Sequence, residues 1–277
     1  MFDEEDEDLA HDSPVSRLEA ARRRAVYWLP NMFTLGGLFA GFYAIIAAIG
    51  DRFGSAAIAI GIAMLLDGTD GRVARLTNTT SDFGKELDSL CDVVSFGIAP
   101  AIVIYQWGFE RIADYGWLWA RLGWACAFLY AAAAALRLAR FNVRIHLQDK
   151  GWFQGLPSPA AAGLVAATVL CGTEYGPHFE LYGSDLSIPA FVITMLAGVC
   201  MVSNVSYYSF KDLDPRQPIK FRHLVLGVVV LMGIAIEAQL MLFLLFFCFA
   251  ASGPVLAAWR WKKRRDARLP ARSVTPL

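Results

Sequence analysis

Apolar positions along this chain fall in long blocks rather than in stripes. Eight blocks are found, near 27–49, 53–74, 86–107, 116–137, 157–173, 187–207, 222–236 and 238–258. Most reach the roughly 20 residues that a helix needs to cross a bilayer core. The fifth and seventh are short, and the last two are separated only by the region of Glu237 and Gln239. The pattern predicts an all-α polytopic membrane protein of about eight transmembrane helices, with a tight helical hairpin at the end. If that hairpin is miscounted, the number is six. Residues 1–25 form a peripheral segment, 26–259 the membrane domain and 260–277 a cytoplasmic tail.

Charge placement orients the helices. With the N-terminus in the cytoplasm, all of the 25 basic residues except Arg52, Arg111 and Arg121 fall in cytoplasmic segments or at cytoplasmic span ends. Lysine and arginine collect on the inner side of membrane proteins, so both termini are expected inside. The loop near 174–186 carries acids and no lysine or arginine, which suits an outer loop. Residues 1–12 (MFDEEDEDLAHD) read as an acidic disordered tail. Residues 14–25 read as a short basic helix lying against anionic headgroups before the first span, and the tail RWKKRRDARLPAR as a basic anchor.

Composition agrees: 56% of residues are hydrophobic and the formal net charge is zero, so overall charge indicates no nucleic-acid partner. Five scattered cysteines without a CxxC read as reduced packing residues.

Four aspartates break the apolar pattern. Asp67 and Asp70 stand at the end of the second block, Asp88 and Asp92 at the start of the third. An ionised carboxylate at bilayer depth costs about 2.5–3.5 kcal/mol on insertion scales. Asp67, Asp70, Gly71 and Ala74 share one helical face, as do Gly84, Asp88 and Asp92 on the next helix. A hairpin turning near Leu76–Asp82 brings the two faces together. Four clustered carboxylates require protonation or a divalent cation, and oxygen ligands favour magnesium, manganese or calcium over zinc. Two such ions suit phosphoryl or phosphodiester chemistry. Arg75 and Lys85 stand near the same rim as candidate phosphate ligands. Intramembrane acids also mark ion paths, so a cation transporter is a competing reading.

The spacing DG(x)2AR(x)8G(x)3D(x)3D runs without a gap through Asp70-Gly71, Ala74-Arg75, Gly84, Asp88 and Asp92. It resembles the signature of the CDP-alcohol phosphotransferase family of membrane enzymes. LPNMFTLGGLFAGFYAI near the first span, RLARFNV at 137–143 and GWFQGLPSPAAAGLVAA at 151–167 resemble its bacterial-type phosphatidylserine synthase branch. The resemblance covers most of residues 29–170.

It implies that a substituted phosphate passes from a CDP-linked donor to an alcohol, here from CDP-diacylglycerol to L-serine, with release of CMP. Asp67, Asp70 and Asp88 would be metal ligands, and Asp92 the remaining ligand and the general base. Asn31, Thr34, Gly71, Ala74, Arg75, Gly84 and Lys85 would line the CDP-diacylglycerol site. Arg137, Arg140, Asn142, Gln154 and Ser158 would hold serine. The resemblance also implies a homodimer in a bacterial-type inner membrane, with the active site facing the cytoplasm. The aspartate motif by itself leaves glycerol 3-phosphate or inositol phosphate open as acceptors.

Overall fold

The structure is a computed structural model that describes residues 14–77, 81–144, 152–176, 184–208 and 221–268. The acidic N-terminal dozen, residues 177–183 of the expected outer loop and the tail beyond 268 lie outside the described residues. Each expected apolar block has a helical counterpart. Among the described residues, six helical segments are long and apolar enough to cross a membrane: Pro30–Ile49, Phe53–Val73, Asp82–Phe109, Trp117–Val143, Asp185–Val202 and Ala238–Lys263.

Helix α1 (Pro14–Ile49) corrects one expectation. The basic stretch 14–25 is not a separate helix but runs straight into the first span. Alanine, arginine and leucine propagate a helix, no glycine intervenes, and Pro30 sits inside without ending it. Helix α2 (Phe53–Thr77) returns antiparallel against α1. Their seam is built from small residues: Ala40, Ala44, Ala47 and Ala48 face a side that buries Ala56, Ala57, Ala59 and Ala63. Gly36 lies so close to α2 that a Cβ there would stand 3.3 Å from Leu66 Cδ1. Lipid gives helices no hydrophobic reason to associate, so close approach of backbones supplies the packing.

Helix α3 (Asp82–Asp92) starts at Ser81, whose hydroxyl accepts from the Gly84 amide at 3.0 Å. It continues through a wide π-helical stretch (Val93–Ile98), helix α4 (Ala99–Ile104) and a second wide turn (Tyr105–Phe109). Pro100 gives a local reason for the widening. It has no N–H for the Phe96 carbonyl, and the Tyr130 hydroxyl donates to that carbonyl instead, at 3.2 Å.

A short 3₁₀ turn (Arg111–Tyr115) leads to α5 (Trp117–Arg144), which packs along α7 (Ser184–Val202). The alanine run 131–135 works inside this chain: Ala133 and Ala134 are buried, and a Cβ on Gly97 would sit 3.1 Å from Ala134 Cβ. Helix α6 (Ser158–Tyr175) buries its first half and packs against α2, α7 and α9 (Ala238–Arg268). Its polar ends keep it outside the six long apolar spans.

Helix α8 (Phe221–Ile236) is short, and the chain bends sharply at Glu237. The bend brings Met241 Cε to 1.9 Å from where a Gly233 Cβ would stand. Helix α9 then extends through the first residues of the basic tail, to Arg268. One feature was not expected from the sequence. Strand β1 (Trp152–Gln154) pairs antiparallel with β2 (Ser206–Tyr208), Trp152 opposite Tyr208 and Gln154 opposite Ser206.

Candidate active site

The nest forms where the small-residue seam ends. Asp67 and Asp70 come from adjacent turns of α2, and Asp88 and Asp92 from adjacent turns of α3. One carboxylate oxygen from each of Asp67, Asp70 and Asp88 lies within 4.8 Å of the others. The Asp92 carboxyl lies beside that of Asp67. The four acids line one hollow with Thr34, Gly37, Ala63, Cys91, Ser95 and Phe96. The hollow is small, about 10 Å³, the room of roughly one water-sized sphere. That is too small to enclose a nucleotide.

The walls explain how the acids are held. Thr34 on α1 is buried, and its hydroxyl donates to Asp70 Oδ2 at 2.9 Å. The Pro30 carbonyl is also in reach, at 3.2 Å, but a hydroxyl has one proton and the carboxylate is the shorter and stronger acceptor. Ser95, in the wide stretch after Asp92, donates to the Gly37 carbonyl at 3.1 Å and ties α1 to the nest. Neither link follows from motif spacing, because both run between helices.

The donor set fits a hard divalent cation. Three carboxylates converge, a fourth adjoins, and the lone thiol in the wall, Cys91, is buried as a packing residue. Carboxylates this close repel one another unless a proton or cation lies among them. The chain has the means to bind divalent metal here.

The expected donor-site residues are distributed around this nest. Gly71 is exposed, with open space where a Cβ would be, so a ligand can approach its backbone. At Gly84 a Cβ would stand 3.1 Å from Ser81 Oγ and 3.2 Å from Asn31 Oδ1, which places Asn31 beside the motif glycine. Lys85 lies on the surface, paired with Asp82 at 2.9 Å. The side chains of Ala74 and Arg75 lie outside the described residues.

The expected serine residues divide into two groups. Arg137 is turned inward, within electrostatic reach of Asp67 and Asp92. Its Nη1 donates to the fully buried Ser158 Oγ at 2.7 Å, while its Nε is buried without a hydrogen-bond partner among the described residues. Arg140, three residues on, faces the chain junction instead. Its guanidinium donates to the carbonyls of Gln154 at 2.9 Å and Val202 at 3.0 Å. Longer contacts reach Met201 O, Ser203 O and Asn204 Oδ1. Asn142 donates to Ser89 Oγ at 2.9 Å, one residue from Asp88. Gln154 is exposed in β1.

Comparison with known proteins gives the same picture. The family model described as CDP-alcohol phosphatidyltransferase matches residues 27–205. A Helicobacter pylori (strain ATCC 700392 / 26695) protein named CDP-diacylglycerol–serine O-phosphatidyltransferase is 41% identical over 188 residues, 68% of this chain and 75% of that protein. Proteins of the same name are similar in Mycobacterium tuberculosis (strain ATCC 25618 / H37Rv), 34% identical over 62% of this chain and 60% of that one, and in Bacillus subtilis (strain 168). The Bacillus protein is 32% identical, over 57% of this chain and 94% of its own length. The match begins just ahead of the Pro30–Ile49 span and ends at the turn after α7, so it contains the whole aspartate nest. The chain belongs to the CDP-alcohol phosphatidyltransferase family and is a membrane-embedded transferase.

Proposed function

We propose that this protein transfers the phosphatidyl group of CDP-diacylglycerol to the hydroxyl of L-serine, giving phosphatidylserine and CMP. The observation that carries the reading is a single juxtaposition. A nest of four aspartates for the donor's pyrophosphate end adjoins Arg137, an inward-turned arginine with an unpartnered Nε. The relatives named for the serine reaction support the choice of acceptor.

Asp67, Asp70 and Asp88 would hold divalent ions, two in our reading, of the hard class that includes magnesium, manganese and calcium. When bound, such ions supply positive charge to the donor's phosphate oxygens and to the departing CMP. Thr34 keeps the Asp70 carboxylate turned into the nest. Gly71 and Gly84, beside Asn31, leave space for the nucleotide over the rim. Asp92 takes the proton of the serine hydroxyl as its oxygen bonds to the phosphorus that carries diacylglycerol. The bond from that phosphorus to the CMP oxygen breaks in the same displacement, and CMP leaves with the electron pair. Arg137 meets the serine carboxylate through its free Nε edge. Arg140 shapes the wall behind the acceptor without touching it.

The basic residues at the expected inner ends favour a cytoplasmic membrane with the nest open to the cytoplasm. A homodimer belongs to the same proposal, with an interface other than the 131–135 alanine run.

An acceptor panel tests the reading. Membranes carrying the protein are incubated with labelled CDP-diacylglycerol and, separately, serine, glycerol 3-phosphate and inositol phosphate. CMP release with serine alone, abolished by a chelator, is expected. Release with another alcohol and none with serine overturns the acceptor while leaving the family chemistry intact. Arg137→Gln should raise the serine KM more than the CDP-diacylglycerol KM.

A further inference from the structure

We infer that the protein carries a second lipid site, which takes the phosphodiester of an anionic phospholipid in a cavity between α9 and the turn joining α7 to β2. This goes beyond the transfer reaction and does not depend on the acceptor.

The cavity measures about 330 Å³, far roomier than the aspartate nest. It is lined by Asn204, Val205 and Ser206 from the turn and by Ala257, Arg260 and Trp261 from α9. An amide, a hydroxyl, an indole and a guanidinium all supply hydrogen-bond donors, and none of these six residues is acidic. That is the donor chemistry of a phosphate site.

Its walls are fixed on both sides. The Tyr207 hydroxyl donates to the Ala250 carbonyl at 3.0 Å. The Tyr207 ring lies so close to α9 that a Cβ on Gly253 would stand 2.3 Å from Cζ. From the other side Arg140 holds the Val202 carbonyl at 3.0 Å and reaches Asn204 Oδ1 at 3.4 Å. The space is therefore built into the fold.

One observation favours a lipid over a soluble anion. The cavity lies where α9 passes from an apolar run into Arg260, Lys262 and Lys263, with exposed Trp259 and Trp261 at the same level. Tryptophans and basic residues in that order mark the headgroup layer of a membrane. The occupant shares the Asn204 wall with Arg140, and Arg137 lies one helical turn back on α5, so an anionic lipid here abuts the frame of the acceptor side.

Native mass spectrometry of the full-length protein, titrated with phosphatidylglycerol or phosphatidylcholine, tests the site. Wild type should retain one phosphatidylglycerol in preference to phosphatidylcholine. Arg260→Gln should weaken that retention about tenfold. Ala257→Trp, which fills the space, should abolish it, with CMP release unchanged in both variants. Melting temperatures near wild type establish that the variants fold, and Arg260→Gln keeps the test alive if the tryptophan does not fit. Equal retention of the two lipids, or full retention in a folded Arg260→Gln or Ala257→Trp variant, overturns the proposal. Displacement of the lipid by an equal concentration of soluble glycerophosphate overturns the lipid assignment in favour of a free-anion site.

Discussion

The α1–α2 seam and the α8–α9 end of the chain are both apolar, yet they contact their surroundings with side chains of different size. In the seam, alanines and glycines are buried against one another, with Ala44, Ala47, Ala56 and Ala63 at essentially no exposure. On α8 the apolar residues are large and turned outward, including Leu231, Met232 and Ile236. Hydropathy alone does not separate the two regions. In lipid a leucine is satisfied by acyl chains, whereas an alanine stripe gains only when another backbone comes close. The acids lie at the end of the close-packed seam, where backbones are near enough for side chains from three helices to meet. Residue size, more than hydrophobicity, marks the part of the chain that holds the chemistry.

The comparison can be broken in several places. The largest effect is expected from Asp92→Asn at the closed end of the seam. Turnover should fall by about 10²–10⁴-fold, the range for loss of a general base, while CDP-diacylglycerol binding survives in part. Near-normal CMP release in that variant would remove Asp92 from the chemistry. Next is Gly41→Val on α1, beside the seam, where even a Cβ would stand 2.6 Å from Ser95 Oγ and 2.8 Å from Ser95 Cα. Overpacking of this kind costs about 1–3 kcal/mol or more, and thermal melting in detergent should show a clear drop. An unchanged melting temperature would mean that α1 and the wide turn after Asp92 are not in contact.

A smaller and more specific change is Thr34→Val. It removes the hydrogen bond to Asp70 without removing a metal ligand, so manganese binding followed by electron paramagnetic resonance should weaken by roughly tenfold. Thr34→Ser should restore it. If nucleotide affinity falls and manganese binding does not, Thr34 belongs to the CDP site alone. The smallest effect belongs to the open end. Leu231, 68% exposed on α8, should tolerate alanine within about 0.5 kcal/mol. A loss well above 1 kcal/mol would show that α8 is covered by a second copy, and would locate the dimer interface.

Much of the architecture was legible from the apolar blocks, because a helix in lipid must satisfy its own backbone groups and block length reports that directly. The continuous α1 was less so, since charge composition changes at residue 26 but helix propensity does not. The β1–β2 ribbon was not legible at all. Two three-residue strands about 50 positions apart carry no local pattern, and their pairing exists only once α5 and α7 have brought the ends together. Arg140 shows the same limit. RLAR at the end of a span reads equally as a ligand pair or an anchor, and only the fold turns Arg137 toward the acids and Arg140 toward the carbonyls of 154 and 201–203.

Sequence by itself determined the class of protein, the helices that carry the aspartates and the family chemistry, since spacing along a helix dictates which side chains share a face. Tertiary structure decided what that face meets. The Thr34 hydroxyl on Asp70, the unpartnered edge of Arg137 and the cavity beside α9 all depend on distances between helices remote in the chain. Those distances are set by side-chain size at the contacts, a property of pairs that no single segment contains.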